Sequence, residues 1–329
     1  MSTQSHDLEV HQQAVAAFRE VRAGLHQVVV GMEPVIDALS WTLLARGHAL
    51  FIGVPGLAKT LLISTLSELM GLHFNRIQFT PDMMPSDLIG SEILEENKQT
   101  GRREFQFRQG PLFCQMLLAD EVNRTPPKTQ SALLQAMQEG RVTYAGKTYD
   151  LVKPFVVFAT QNPVESEGTY PLPEAQLDRF LLAIPVHYPS FQDEREIVRR
   201  TTSPQSVQLK PVMTAEDLMR YQDLVRKVPL EDKILDLIVS ISRASRPGGE
   251  SSQDLSESIR YGAGPRASQA MALASKARAF LEGRFAVREE DVLTVAPYVL
   301  KHRMVLRKLR DQSPDQIVEK VVQSGYANR

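Results

Sequence analysis

The tightest constraint on this chain is one segment, in which the apolar run Ala49-Leu50-Phe51-Ile52 meets a turn of small residues and then a helical pattern. The turn reads Gly53-Val54-Pro55-Gly56-Leu57-Ala58-Lys59-Thr60, and Leu61, Leu62, Leu66 and Leu69 follow on helical spacing up to Gly71. A strand that feeds a helix through such a turn lets consecutive backbone N–H groups close around an anion, and the helix N-terminus adds a favourable dipole. In that setting Lys59 reaches toward β- and γ-phosphates, and the Thr60 hydroxyl toward Mg²⁺. The usual pattern has glycine where this chain has Ala58. One extra methyl is tolerable there if the position is already helical.

The surrounding sequence predicts the sheet that such a segment needs. Phe74 to Phe79, Met116 to Ala119, Pro154 to Ala159 and Leu181 to Val186 are four further strand candidates. The third core strand is continuously apolar, as a strand buried on both faces should be. Pro126-Pro127 opens a helix with Leu133, Leu134 and Met137 on its apolar face and Gly140 as its stop. Strand–helix alternation of this kind predicts a parallel sheet between helices. Two stretches break it. Ser91 to Arg108 reads as a polar hairpin around Lys98-Gln99-Thr100-Gly101, and Arg141 to Tyr149 as another around Ala145-Gly146.

After Pro189 only helical spacing is expected, over Asp193 to Arg200, Ala215 to Val225, Ile234 to Ala244, Arg266 to Leu281 and Glu289 to Leu306. Arg246 to Ser252 is a loop by composition. The reading is therefore an α/β core over residues 1–189 and a small all-α domain over 190–329. A length of 329 residues suits two domains.

Charge and cysteine usage remove several classes. The net charge of -1 comes from 38 basic and 39 acidic residues, which leaves no general electrostatic footprint for nucleic acid. The single cysteine, Cys114, allows neither an intramolecular disulfide nor a cysteine-based metal cluster, and its apolar context reads as a buried thiol. Met1 to Val10 lacks a signal-peptide layout, and no apolar run approaches the ~20 residues of a membrane span. The cytoplasm is the expected location.

The partner site for the phosphate loop is Asp120-Glu121, directly after the third core strand. Ligands of open α/β sheets collect at the C-terminal strand edge, so Asp120 can hold the Mg²⁺ shell and Glu121 can polarise a water as general base. Hydrolysis also needs a group to orient the water and positive charge at the γ-phosphate. Asn162 ends the fourth core strand, Arg179 precedes the fifth, and Arg266 begins a helix of the second domain. Taken singly, each has a structural reading first: Asn162 as a turn residue, Arg179 as partner to Asp178, Arg266 as a surface charge.

Together these segments resemble the AAA+ ATPases, and within them the MoxR family. The likeness runs over nearly the whole chain from Val28. It is carried by Gly53 to Thr60, Phe79 to Leu88, Leu118 to Arg124, Thr160 to Pro163, Glu174 to Phe180 and Gly264 to Ala267. Alanine before the lysine is what this family usually shows. The resemblance implies a P-loop AAA+ core, a five-stranded parallel sheet between helices, with a small C-terminal all-α lid. It implies ATP hydrolysis with Mg²⁺, with Gly53 to Thr60 on the phosphates and Val30-Gly31 near the adenine.

The same resemblance makes Asn162 the sensor 1 residue, Arg179 an arginine finger for a neighbouring subunit, and Arg266 the sensor 2 arginine for its own or a neighbour's nucleotide. A homo-oligomeric ring, usually a hexamer, follows. The hairpins at 91–108 and 141–149 match the insert in the second helix and the hairpin before sensor 1, both facing the ring's central surface. Family members resemble chaperone-like remodellers that act on protein clients with partners bearing a von Willebrand factor A domain, in metal insertion, assembly or maturation. Three alternatives carry different expectations: a ring motor on DNA or RNA, the ATPase subunit of a metal chelatase, and a nucleotide-dependent scaffold that hardly hydrolyses. The balanced charge speaks against the motor. So does the first hairpin, where Lys98, Arg102 and Arg103 are set against Glu95, Glu96 and Glu104.

Overall fold

The computed structural model describes residues 3–96, 103–163, 168–203, 207–248, 253–307 and 312–328. Two helices precede the first strand. Helix α1 (Thr3–Val28) buries Val10, Ala14, Phe18, Val21 and Leu25, a three- and four-residue spacing that gives one apolar stripe. Helix α2 (Glu33–Leu44) starts after a left-handed Met32, with proline in its first turn. Neither helix was expected from the sequence.

The core then alternates as expected. Strand β1 (Ala49–Ile52) leads to α3 (Lys59–Leu69) and β2 (Phe74–Gln78), and a one-turn α4 (Pro85–Ile89) precedes the hairpin β3 (Gly90–Glu96) and β4 (Arg103–Gln109). Strand β5 (Met116–Asp120), α5 (Pro127–Glu139), the hairpin β6 (Arg141–Tyr144) and β7 (Lys147–Asp150), β8 (Val156–Gln161), α6 (Glu174–Leu177) and β9 (Leu182–Pro185) complete it. The five long-range strands pair in parallel in the order β2-β5-β8-β1-β9.

Alternate residues of these strands enter opposite layers. Ala49, Phe51, Met116, Leu118, Val156 and Phe158 join the cluster that includes α1 and α2, whereas Leu50, Leu117, Ala119, Val157 and Ala159 pack with Leu133, Leu134 and Met137 of α5. Both faces are dry, which is why the strands read as apolar runs rather than alternations. Both expected hairpins are present and they pack on each other: Phe107 stacks on Tyr149 with ring centroids 4.2 Å apart. The Lys98–Gly101 turn of the first lies outside the described residues.

The C-terminal region is helical: α7 (Phe191–Thr201), α8 (Ala215–Lys227), α9 (Asp232–Ala244), α10 (Gln253–Ser258), α11 (Pro265–Leu281 with β10, Ile259–Tyr261, before it), α12 (Glu289–Leu300), and α13 (Pro314–Ala327 with β11, Val305–Leu306, before it). Two expectations are corrected here. The helix expected over Glu289 to Leu306 stops at Leu300, a turn after Pro297, and strands do not end at Pro189, because β10 and β11 pair antiparallel. Apolar spacing continues through Met304-Val305-Leu306, so periodicity alone could not mark the change. Of the expected Arg246–Ser252 loop, residues 249–252 lie outside the described set. Helix α1 packs on α3 of the core and on α8 and α11 of the helical region, tying the two together.

His48 links the layers at the start of β1. Its Nδ1 accepts the Val157 N–H at 2.9 Å, and its Nε2 donates to the Met137 carbonyl at 3.0 Å, so one neutral tautomer satisfies both. Burial pushes its pKa down to about 4, while an unfolded histidine titrates near ~6.5. The unfolded chain therefore binds the extra proton first, and this contribution to stability is present above about pH 6.5 and lost as pH falls toward about 4. His48→Gln can make both hydrogen bonds without titrating. It is expected to flatten part of the fall in melting temperature between about pH 7 and about pH 5; an unchanged slope would contradict the assignment.

Candidate nucleotide site

The loop after β1 is shaped by a close approach. A Cβ on Gly53 would lie 2.6 Å from the Val186 carbonyl at the end of β9, so a side chain there would push the strands apart. Lys59 is buried, and its Nζ donates to the carbonyls of Gly53 at 2.8 Å and Val54 at 2.9 Å. Burial lowers its pKa, opposed by the nearby Asp120 and Glu121 carboxylates. Ala58 does not meet the condition of helical backbone under which its extra methyl was read as tolerable. It sits one residue before α3 at φ 53, in the left-handed region.

Facing this loop is a closed polar network at the C-terminal ends of β2, β5 and β8. Thr160 Oγ1 donates to Asp120 Oδ1 at 2.6 Å and accepts the Glu121 N–H at 2.8 Å. The other Asp120 oxygen pairs with Arg76 at 2.7 Å. Glu121 Oε2 accepts from Gln78 Nε2 at 2.7 Å and forms an ion pair with Arg124 Nε at 3.0 Å. Glu121 itself is left-handed at φ 56, a conformation that costs a non-glycine residue about 1–2 kcal/mol. Such strain persists only where neighbours over-determine it, and here Thr160, Gln78 and Arg124 do so.

A cavity of about 440 Å³ lies between loop and network, lined by Pro55 to Leu61 together with Arg76, Gln78, Asp120, Glu121, Thr160 and Asn162. Lys59, Thr60, Asp120, Glu121 and Asn162 are thus brought together as the sequence led one to expect. Arg76, Gln78, Arg124 and Thr160 were not singled out. The available signal was the polar pair Arg76 and Gln78 on alternate residues of a strand whose last residue is in register with Asp120. The donor set fits Mg²⁺: one hydroxyl (Thr60) and one carboxylate (Asp120) on the same cavity, which is how a nucleotide-bound Mg²⁺ is commonly held beside phosphates.

Next to the phosphate cavity is an apolar one of about 380 Å³, and the two share Gly56, Leu57, Ala58 and Leu61. Val30, Met32, Val35, Tyr188 and Ile197 are among its walls. Val30 is where the sequence reading placed the adenine. Gly31 forms the adjoining turn at φ 67 instead of lining the wall, and a Cβ there would come 3.2 Å from the Asp193 carboxyl group.

The two arginines lie elsewhere. Arg179 and Arg266 line a third cavity, of about 270 Å³, with Arg46, Arg226, Arg303 and Asp178. Gly47 and His48, at the N-terminal end of β1, also line it, whereas the phosphate loop leaves the C-terminal end. Four strand residues span about 13 Å, so the sheet separates the two sites. Arg179 does not pair with Asp178, as its structural reading had it. Its Nη1 donates to the Leu134 carbonyl at 2.8 Å, and Asp178 pairs with Arg303 at 2.8 Å.

Comparison with known proteins agrees with this architecture. Residues 48–182 match the model of the ATPase family associated with various cellular activities (AAA), and residues 252–321 match an AAA lid domain. The chain is a AAA+ ATPase with a parallel P-loop core and a C-terminal helical lid. It is similar to Chaperone MoxR1 of Mycobacterium tuberculosis, 42% identical over 96% of this chain and 82% of that one. It is also similar to Protein MoxR of Paracoccus denitrificans, 28% identical over 95% of each. A crystal structure of a Cytophaga hutchinsonii protein superposes with a TM-score of 0.89 at 40% identity, covering 98% of this chain and 97% of that chain. The chain belongs to the MoxR family of AAA+ ATPases.

Ala58→Gly tests the strain at the loop. Relief of the left-handed alanine should stabilise the protein by about 1 kcal/mol, since glycine adopts this region at little steric cost. Nucleotide affinity should be retained. Thermal unfolding and fluorescent-nucleotide titration check both, and a lowered melting temperature would contradict the reading.

Proposed function

We propose that the chain hydrolyses ATP with Mg²⁺ as one subunit of a homo-oligomeric ring, a hexamer by family resemblance, and that the ring remodels a protein client. The observation that carries this is the placement of two half-sites at opposite ends of β1: phosphate-binding groups at one end, and Arg179 and Arg266 at the other. An isolated chain brings neither Arg179 nor Arg266 to its own phosphates. A neighbour packed loop-to-arginine brings them, and a head-to-tail contact of this kind makes a ring where its rotation closes.

In this reading the loop amides and Lys59 hold the phosphates, Val30 and its apolar neighbours hold the base, and Thr60 and Asp120 hold Mg²⁺. The metal neutralises charge on the β- and γ-phosphates when bound. Glu121 takes the proton of the attacking water, and Asn162 orients that water. Arg179 and Arg266 offset charge developing on the neighbour's γ-phosphate. Release of Glu121 from Gln78 and Arg124 precedes catalysis, because the oxygen they hold must be free to face the attacking water. The division at 189/190 separates the core from the lid that carries Arg266.

The remodelling role draws on the relatives, one of which is described as a chaperone, and on the paired hairpins, where Leu94 and Phe105 face each other across β3 and β4 and are both exposed. A separate partner with a von Willebrand factor A domain and a cytoplasmic site of action belong to the same proposal. Among the described residues no helix is long and apolar enough to cross a membrane.

Glu121→Gln is expected to keep ATP affinity within about twofold while turnover falls about 10²-fold or more, and Lys59→Ala to lose nucleotide. Wild-type hydrolysis by Glu121→Gln would remove Glu121 as the base. Locked around ATP, that variant should retain client and partner together in a pull-down.

A further inference from the structure

We propose that Asp178 and Arg303 are positioning residues that hold Arg179 and Arg266 as one unit for presentation to the neighbouring nucleotide; this rests on the reading of those two arginines given above. Arg303 follows α12 in the lid, and its side chain is 3% exposed. Its Nε donates to Asp178 Oδ1 at 2.8 Å. Its Nη1 donates to the carbonyls of Leu181 at 3.1 Å and Val299 at 2.7 Å, and its Nη2 to those of Asp178 at 3.3 Å and Phe180. The preceding residue, His302, donates from Nε2 to the Phe180 carbonyl at 3.0 Å.

One planar guanidinium therefore grips the main chain on both sides of Arg179. A lysine, with a single point-like ammonium, cannot reproduce that fork. From the core side Arg179 is tied to the Leu134 carbonyl, so its segment is clamped between lid and α5. The second Asp178 oxygen faces Arg266 Nε at 3.8 Å. Among the described residues, Asp178 is the one carboxylate lining a cavity with five arginines. It keeps Arg266 beside Arg179 where like-charge repulsion would otherwise spread them.

A buried arginine stripped of its carboxylate destabilises the fold, so the substitutions must be mild. Asp178→Asn keeps an acceptor for Arg303 and removes the charge that faces Arg266. Arg303→Lys keeps the charge and loses the fork. Turnover, KM, nucleotide affinity and assembly size are measured for each variant, alone and combined with Arg266→Ala or Arg179→Ala. Asp178→Asn should lower kcat on the order of tenfold, with KM and affinity within about twofold and assembly unchanged. It should add no further loss on an Arg266→Ala background, because the two act through one contact. Arg303→Lys should behave likewise against Arg179→Ala; if it fails to fold, Asp178→Asn carries the test.

Independent, multiplying losses would overturn the proposal, as would an unchanged kcat in Asp178→Asn while Arg266→Ala and Arg179→Ala remain impaired. Full turnover in Arg266→Ala and Arg179→Ala themselves would instead overturn the reading of those arginines, and this inference with it.

Discussion

Strand β1 is four residues long and hydrogen-bonded on both sides, to β8 and to β9. That double pairing sets the distance between everything that matters in the chain. It brings the Gly53 loop against the end of β9 closely enough that only glycine fits, and it lays the loop beside β8, whose Thr160 holds Asp120 and the Glu121 backbone. It also puts one strand length between the phosphate loop and the arginine cavity. A short central strand with apolar side chains in both layers thus fixes the phosphate loop and, by the same geometry, keeps Arg179 and Arg266 a strand length away from it.

The polar groups at the C-terminal strand edge hold one another. Asp120 has both oxygens engaged, by Thr160 and Arg76, and Glu121 is turned toward Gln78 and Arg124 at a strained φ. Lys59 lies back on the carbonyls of its own loop. Each of these contacts is of the kind a bound triphosphate and its metal would replace, so binding exchanges internal partners for ligand without exposing a bare charge. The strain at Ala58 and Glu121 lies where binding and chemistry would meet, in keeping with strain stored at functional sites.

Much of this was legible in the sequence, and the limits are physical. The five core strands and the helix after Pro126-Pro127 announce themselves because strands buried on both faces must be continuously apolar. The phosphate loop and Asp120-Glu121 are legible because their chemistry allows few residue types. Helix α1 was missed although Val10, Ala14, Phe18, Val21 and Leu25 carry its period, since the polar Met1 to Val10 end was read only for targeting. The end of α12 was missed because apolar spacing runs on into β11 while pairing with β10 decides the conformation. Arg303 was invisible for a different reason: the carbonyls of Asp178, Phe180 and Leu181 that it grips lie more than 100 positions away, and main-chain acceptors leave no sequence signature.

The central claim is that one chain supplies half of each site. Lys59→Ala chains lack nucleotide binding but keep Arg179, and Arg179→Ala chains keep nucleotide binding but lack the arginine. ATP hydrolysis by a mixture of the two, assembled together, measures that claim directly. Hydrolysis well above that of either variant alone is expected, because mixed rings contain junctions with an intact loop and an intact arginine. A mixture no more active than its parts would contradict it.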